Sequence, residues 1–197
     1  MVLARASIVT PSDWTELNLN PATRHTSISQ LVRRSVVQSR GLAPDAVPLI
    51  ALLDRTSTRA ADAGGFYCAW HILKDPSGGA VALTALMQVR QAMAPLPEPP
   101  LGIASLSVTE RCAALAGVVE RDPYWAGADI RVVTLPFTGS AVRLRIQNGG
   151  VIVQYLVPLV NSPAVVVMSF SCASPPFARP ASDLFDAMAQ SLVLHYD

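Results

Sequence analysis

Apolar and polar positions change their rhythm along the 197-residue chain, and the changes mark its elements. Trp14, Leu17 and Leu19 fall in a short run that predicts an opening strand or extended lead-in, stopped by Asn20-Pro21. Ser27 with Gln30 three residues on reads as a capping box. Ile28, Leu31, Val32, Ser35 and Val36 follow at helical spacing, predicting a helix over 27–40 that stops at Gly41. Asp45 is placed to cap a second helix, whose stripe is Leu49, Ile50, Leu52, Leu53 and Ala60, with Gly64-Gly65 as its stop.

From Phe66 the period shortens. FYCAWHIL and AVALTALMQV are strand-length runs around the turn-forming cluster Asp75-Pro76-Ser77-Gly78-Gly79, the pattern of a hairpin. The proline-rich stretch 94–100 cannot donate regular ladder hydrogen bonds and reads as an exposed connection. Leu101–Val108 reads as a further strand, and Thr109 as the cap of a short helix carrying Leu115, Val118 and Val119. Ile130–Leu135 predicts another strand. SAVRLRIQ and GVIVQYLV, joined by Asn148-Gly149, predict a hairpin with a two-residue type I′ turn. That turn sets Gln147 opposite Gly150 and Arg145 opposite Ile152. It places Val142, Leu144, Ile146, Val151, Val153 and Tyr155 on one face and Arg143, Arg145 and Gln154 on the other. Ala164–Ser171 supplies a further strand. A last helix starts at Pro180-Ala181-Ser182-Asp183, with Leu184, Phe185, Met188 and Leu192 as its apolar stripe and Asp183 and Asp186 near its positive end.

These elements predict an α/β (α+β) fold: an antiparallel sheet of about six to seven strands packed by N-terminal helices and a C-terminal amphipathic helix. The strands on either side of the proline-rich stretch are each too few for a separate core, so residues 1–197 are read as one domain.

Composition adds exclusions. Apolar residues are 51% and charged ones 15% of the chain, which argues against disorder, and the apolar runs are too short to span a bilayer as helices. MVLARASIVTPSDW lacks the apolar stretch of a secretory signal, so the expected location is cytoplasmic. Cys68, Cys112 and Cys172 are odd in number and far apart, and read as reduced core thiols. The formal charge of +1 gives no global pull towards nucleic acid or anionic membrane. Fourteen of the fifteen basic residues are arginine, a bias that speaks of genome composition rather than mechanism.

The segments VVTLPFTGSAVRLR (132–145), VIVQYLVP (151–158), VVVMSFSCASP (165–175) and DLFDAMAQSL (183–192), with the order of elements before them, resemble the PsbP-like superfamily. That group includes photosystem PsbP subunits, Ran-binding Mog proteins and many actinobacterial domains. The resemblance covers the C-terminal third by motif and the rest by element order only. It implies a PsbP-like sandwich that serves as a binding or assembly scaffold, and it carries no catalytic residue.

Cys68 and His71, three apart on a strand, point to opposite faces and cannot meet. Glu120 with Asp122 and Asp183 with Asp186 are explained by a loop and a helix start. No GxSxG, Walker, Rossmann or metal-ligand spacing occurs. No cofactor is expected, and the reading is of a non-enzymatic protein-binding or assembly factor; the alternative is a small-molecule-binding domain or enzyme with a pocket between helices and sheet. Candidate contact residues are Tyr124 and Trp125, two aromatics in an Asp-Pro-Tyr-Trp loop; Arg33 and Arg34, in a first-helix region with Arg24 and Arg40 and no nearby acid; and Arg143 and Arg145 on a sheet face. The arginines lack the aromatic platforms of a nucleic-acid surface, so a protein partner is favoured, and a second copy of the chain is left open as one.

Overall fold

The computed structural model describes residues 3–38, 46–74, 80–91 and 106–197. In chain order its elements are β1 (Leu3–Ser7), β2 (Thr15–Glu16), α1 (Arg24–Gln38), α2 (Ala46–Asp62), β3 (Gly65–Lys74), β4 (Ala80–Gln91), α3 (Val108–Glu120), β5 (Asp129–Leu135), β6 (Gly139–Gln147), β7 (Val151–Pro158), β8 (Ala164–Cys172), α4 (Ala178–Gln190) and β9 (Val193–Tyr196). Seven strands form one antiparallel sheet in the order β2-β3-β4-β8-β7-β6-β5, while β1 and β9 pair separately as a two-stranded ribbon. The mixed α/β architecture with an antiparallel sheet and a closing helix is the one the hydrophobic pattern predicts.

Both faces of the sheet are covered, because successive strand side chains alternate between them. One face carries Ala85, Met87, Val153, Tyr155, Met168 and Phe170, against which α4 sets Ala181, Phe185, Met188 and Ala189. Phe170 and Phe185 stack at 5.2 Å, and full burial of a side chain of this size is worth about 1.5–3 kcal/mol. The β1–β9 ribbon adds Leu3, Ala6, Leu194 and Tyr196 to the same core. The opposite face holds two smaller clusters. Near the β5 end, Cys112, Leu115 and Val119 of α3 pack on Val142, Leu144, Val165 and Val167. Near the β2 end, Ile28, Val32 and Leu53 of α1 and α2 cover Leu17, Cys68 and Trp70.

Several boundaries differ from the pattern, each for a local reason. The opening strand shrinks to Thr15–Glu16, with Trp14 and Leu17 still buried on either side of it. Helix α1 begins at Arg24 rather than Ser27, because Asn20 organises the preceding turn: its side chain accepts from the Ala22 N–H and its carbonyl from the Arg24 N–H. Ser107, not Thr109, caps α3, and Glu110 returns to the Ser107 N–H to complete a capping box, so Ser107 and Val108 start a helix rather than end a strand. Helix α4 starts at Ala178, two residues before Pro180, which a first helical turn tolerates since its N–H groups have no intrahelical partner. Asp45, the Asp75–Gly79 turn, the proline-rich stretch and Leu101–Ser105 lie outside the described residues.

The largest correction is the register of the β6–β7 hairpin. Gln147 faces Val151 and Arg145 faces Val153, so the loop has three residues, Asn148-Gly149-Gly150, instead of two. A one-residue slip exchanges faces. Val142 and Leu144 belong to the α3 side, whereas Val151, Val153 and Tyr155 lie with Arg143 on the α4 side.

Candidate interaction edge

Strand β5 ends the sheet and pairs only with β6, so one row of its backbone donors and acceptors has no strand beside it among the described residues. The opposite end is closed by β2, a strand of two residues that offers little to pair with. Edge strands are usually blunted by charge. On β5 the two charges answer each other instead, Arg131 Nε donating to Asp129 Oδ1 at 2.7 Å, and Val132, the next residue along the strand, is 44% exposed.

Aromatic side chains flank this edge. Asp122 accepts from the Tyr124 N–H at 2.9 Å and Pro123 opens a single 3-10 turn, which throws Tyr124 outward at 69% exposure. The next residue, Trp125, turns the other way and packs against the α3 cluster, with the Tyr124 ring edge-on to it at 5.1 Å. At the far end of β5, in the turn to β6, Phe137 is 70% exposed. A phenylalanine between Pro136 and Gly139 has no alternating partner in the sequence pattern, which is the signal that would have marked it. Val132 could not be found that way, since its exposure depends on β5 being the last strand.

The other candidate residues are dispersed. Arg33 is exposed on α1, at the β2 end of the sheet, and the Arg34 side chain lies outside those described. Seven strands spaced by about 4.8 Å set that end roughly 29 Å from β5. Arg145 is half-buried opposite Asp129 and bonds Gln147 at 3.3 Å. Arg143 lies beneath α4 at 9% exposure: its Nε and Nη2 take the two oxygens of Asp186 at 2.9 and 2.8 Å, and Nη2 also reaches Ser182. The Tyr155 hydroxyl donates to the same carboxylate at 2.6 Å. Burial pulls the Arg143 guanidinium down, but its bonds to Asp186 and that carboxylate's charge outweigh this and leave it raised. Burial pushes the Tyr155 phenol up, and Asp186 pushes it further. This network ties α4 to the sheet and presents no open guanidinium to a partner.

Cys68 and His71 do lie on opposite faces: Cys68 in the core under α1 and α2, His71 beside Trp14, with Nδ1 3.0 Å from the Asp13 carbonyl. All three cysteines are buried and unpaired, and burial pushes the Cys68 and Cys112 thiols up to about 11, far from the thiolate a nucleophile needs at neutral pH. Among the described residues no cluster of three metal-ligating side chains occurs and no helix is long and apolar enough to cross a membrane.

No family model and no curated protein matches the chain. Among solved structures it is similar to LpqN, described as involved in cell envelope biogenesis of Mycobacterium tuberculosis, at 13% identity and a TM-score of 0.44, over 97% of this chain and 83% of that one.

Proposed function

We propose that the protein is a non-enzymatic binding or assembly factor that receives an extended segment of a protein partner along β5. The carrying observation is the seven-residue free edge flanked by exposed Tyr124 and Phe137. Strand addition at such an edge draws affinity from main-chain hydrogen bonds, and flanking aromatics supply contact area at small entropic cost. The resemblance of the C-terminal strands and helix to the PsbP-like superfamily, whose members serve mostly as binding or assembly factors, supports the same reading. The buried, unpaired cysteines fit work in a reducing compartment such as the cytoplasm.

The test is a double variant, Tyr124→Ala with Phe137→Ala, since both side chains are exposed and their removal leaves the core intact. Affinity capture from the native host should recover a partner with the parent protein and about tenfold less with the variant, given the weight of aromatic anchors in such interfaces. Equal recovery by both would exclude the edge. Light scattering on the purified protein separates a foreign partner from a second copy paired edge to edge.

A further inference from the structure

A cleft of about 340 Å³ opens between the start of α3 and the β7–β8 connection, and neither β5 nor its flanking aromatics line it. Its walls are apolar, from Leu106 and Val108 on one side and Val160 and Pro163 on the other. Into this lining the fold places Arg111, only 7% exposed. Two of its N–H groups are held by main-chain carbonyls, Nη1 by Leu159 at 2.7 Å and Nη2 by Ser162. Those bonds satisfy donors without neutralising charge. A guanidinium has five N–H groups and keeps its proton. Among the described residues no carboxylate lies within 4.0 Å of Arg111 as an ion pair, whereas Arg143, equally buried, has Asp186. Burying a cation without a counter-charge is costly unless something compensates it.

The surroundings favour an anion. The cleft meets the first turn of a 13-residue helix, the positive end of its dipole. The nearby acid, Glu110, is turned back onto Ser107, whose N–H and hydroxyl it accepts at 2.8 Å each, and does not line the cleft. The connection itself is built rather than loose. Asn161 adopts φ 54°, the left-handed region asparagine tolerates, the Leu159 N–H donates to the Ala164 carbonyl, and the Ala164 N–H donates to the Ser162 hydroxyl. Held this way, the loop keeps Arg111 at the cleft and contributes Asn161 to its lining.

We infer that this cleft binds a small organic monocarboxylate with a short hydrocarbon chain, the carboxylate against the remaining N–H groups of Arg111 and the chain against Leu106, Val108, Val160 and Pro163. The volume is at the small end of ligand sites, which fits a ligand of this class rather than a nucleotide or an extended lipid. If Arg111 served only to clamp the loop, no ligand would be bound.

The experiment is a titration followed by amide chemical shifts in the full-length protein, with hexanoate as the probe and acetate, 1-hexanol and inorganic phosphate in parallel at constant ionic strength. Hexanoate should cause saturable shifts at Val108, Asn161 and Ser162, and bind at least about tenfold more tightly than acetate, which lacks four methylenes of apolar contact, each worth up to about 0.8 kcal/mol when buried. Hexanol and phosphate, each missing one half of the recognition, should also be about tenfold weaker or worse. Arg111→Met should abolish the response. Because that substitution also releases the loop carbonyls, Leu106→Trp serves as a second variant that fills the cleft and leaves Arg111 in place, and it too should lose binding. No saturable shift up to roughly 20 mM hexanoate, shifts elsewhere on the protein, equal binding of hexanol or phosphate, or retained binding in Leu106→Trp would each overturn the inference.

Discussion

Arg143 shows how a single residue's role is decided by what lies above the sheet. Alternation along β6 puts it on the same side as Arg145, and that much was legible in the sequence. What the strand pattern could not supply was Asp186, 43 residues away, arriving from α4 to take both of its forks. The third member, Tyr155, gives the network a measurable signature. Its phenol is raised by burial first and by Asp186 second, so the folded state holds the proton above the pH at which the unfolded chain releases it. The stability this confers is complete below the ordinary tyrosine value of about 10 and is lost as pH rises above it. Tyr67, raised by burial, and the Cys68 and Cys112 thiols add to the same alkaline decline. Urea unfolding should therefore show stability falling from about pH 9 upward. Tyr155→Phe should flatten the slope above pH 10 by up to about 1.4 kcal/mol per pH unit, whatever it costs at neutral pH through the lost hydrogen bond. Parallel slopes for parent and variant would show that Tyr155 titrates alike in both states.

At the scale of elements, the hairpin of β6 and β7 was recognisable from Asn148-Gly149 while its register was not, and the reason is the second glycine. Gly149 takes φ +62° with open space around it. Gly150 is buried, and a Cβ there would press on the Cys172 carbonyl and come within 2.9 Å of the Ala173 Cα, backbone that has little room to yield. The loop thus spends three residues so that its last one can pass beside the end of β8, and Val151 rather than Gly150 begins the ladder. Two substitutions separate these demands. Gly149→Ala should cost about 1 kcal/mol, the penalty of a left-handed conformation alone. Gly150→Ala should cost about 2 kcal/mol or more, as overpacking against fixed backbone does. A reversed order in thermal or urea unfolding would mean that backbone conformation, not close approach, selects the three-residue loop. The missed cap at Ser107 is a different kind of omission, for Ser107-Val108-Thr109-Glu110 is itself the capping-box signature and needed only to be weighed against the strand-like run before it.

Across the whole molecule, the pairings that complete the fold join segments with no local mark of each other. The hairpin of β3 and β4 and the four-strand meander β5 to β8 are each readable from turn residues and alternation, yet they become one sheet through β4 against β8, where Met87 meets Met168 and Ala85 meets Phe170. It is this junction that leaves β5 at the rim and so creates the candidate edge. The β1–β9 ribbon is the extreme case: four or five residues from each end of the described chain, too short to stand out as strands, lie side by side with Ala6 opposite Leu194. Neither strand pairs with the main sheet, so each depends on the other to hold Leu3, Ala6 and Leu194 over the α4-side core. That dependence predicts coupling rather than independent contributions. Ala6→Pro removes a backbone donor and bends β1 away, and Leu194→Ala removes buried apolar surface from β9; each alone should destabilise by about 1–2 kcal/mol. Once β1 has lifted, the Leu194 side chain has already lost much of its contact. The double variant should therefore cost less than the sum by about 0.5 kcal/mol or more in a urea double-mutant cycle. Strict additivity would show that β9 is seated by α4 and the core alone, and that β1 rests on a surface already complete without it.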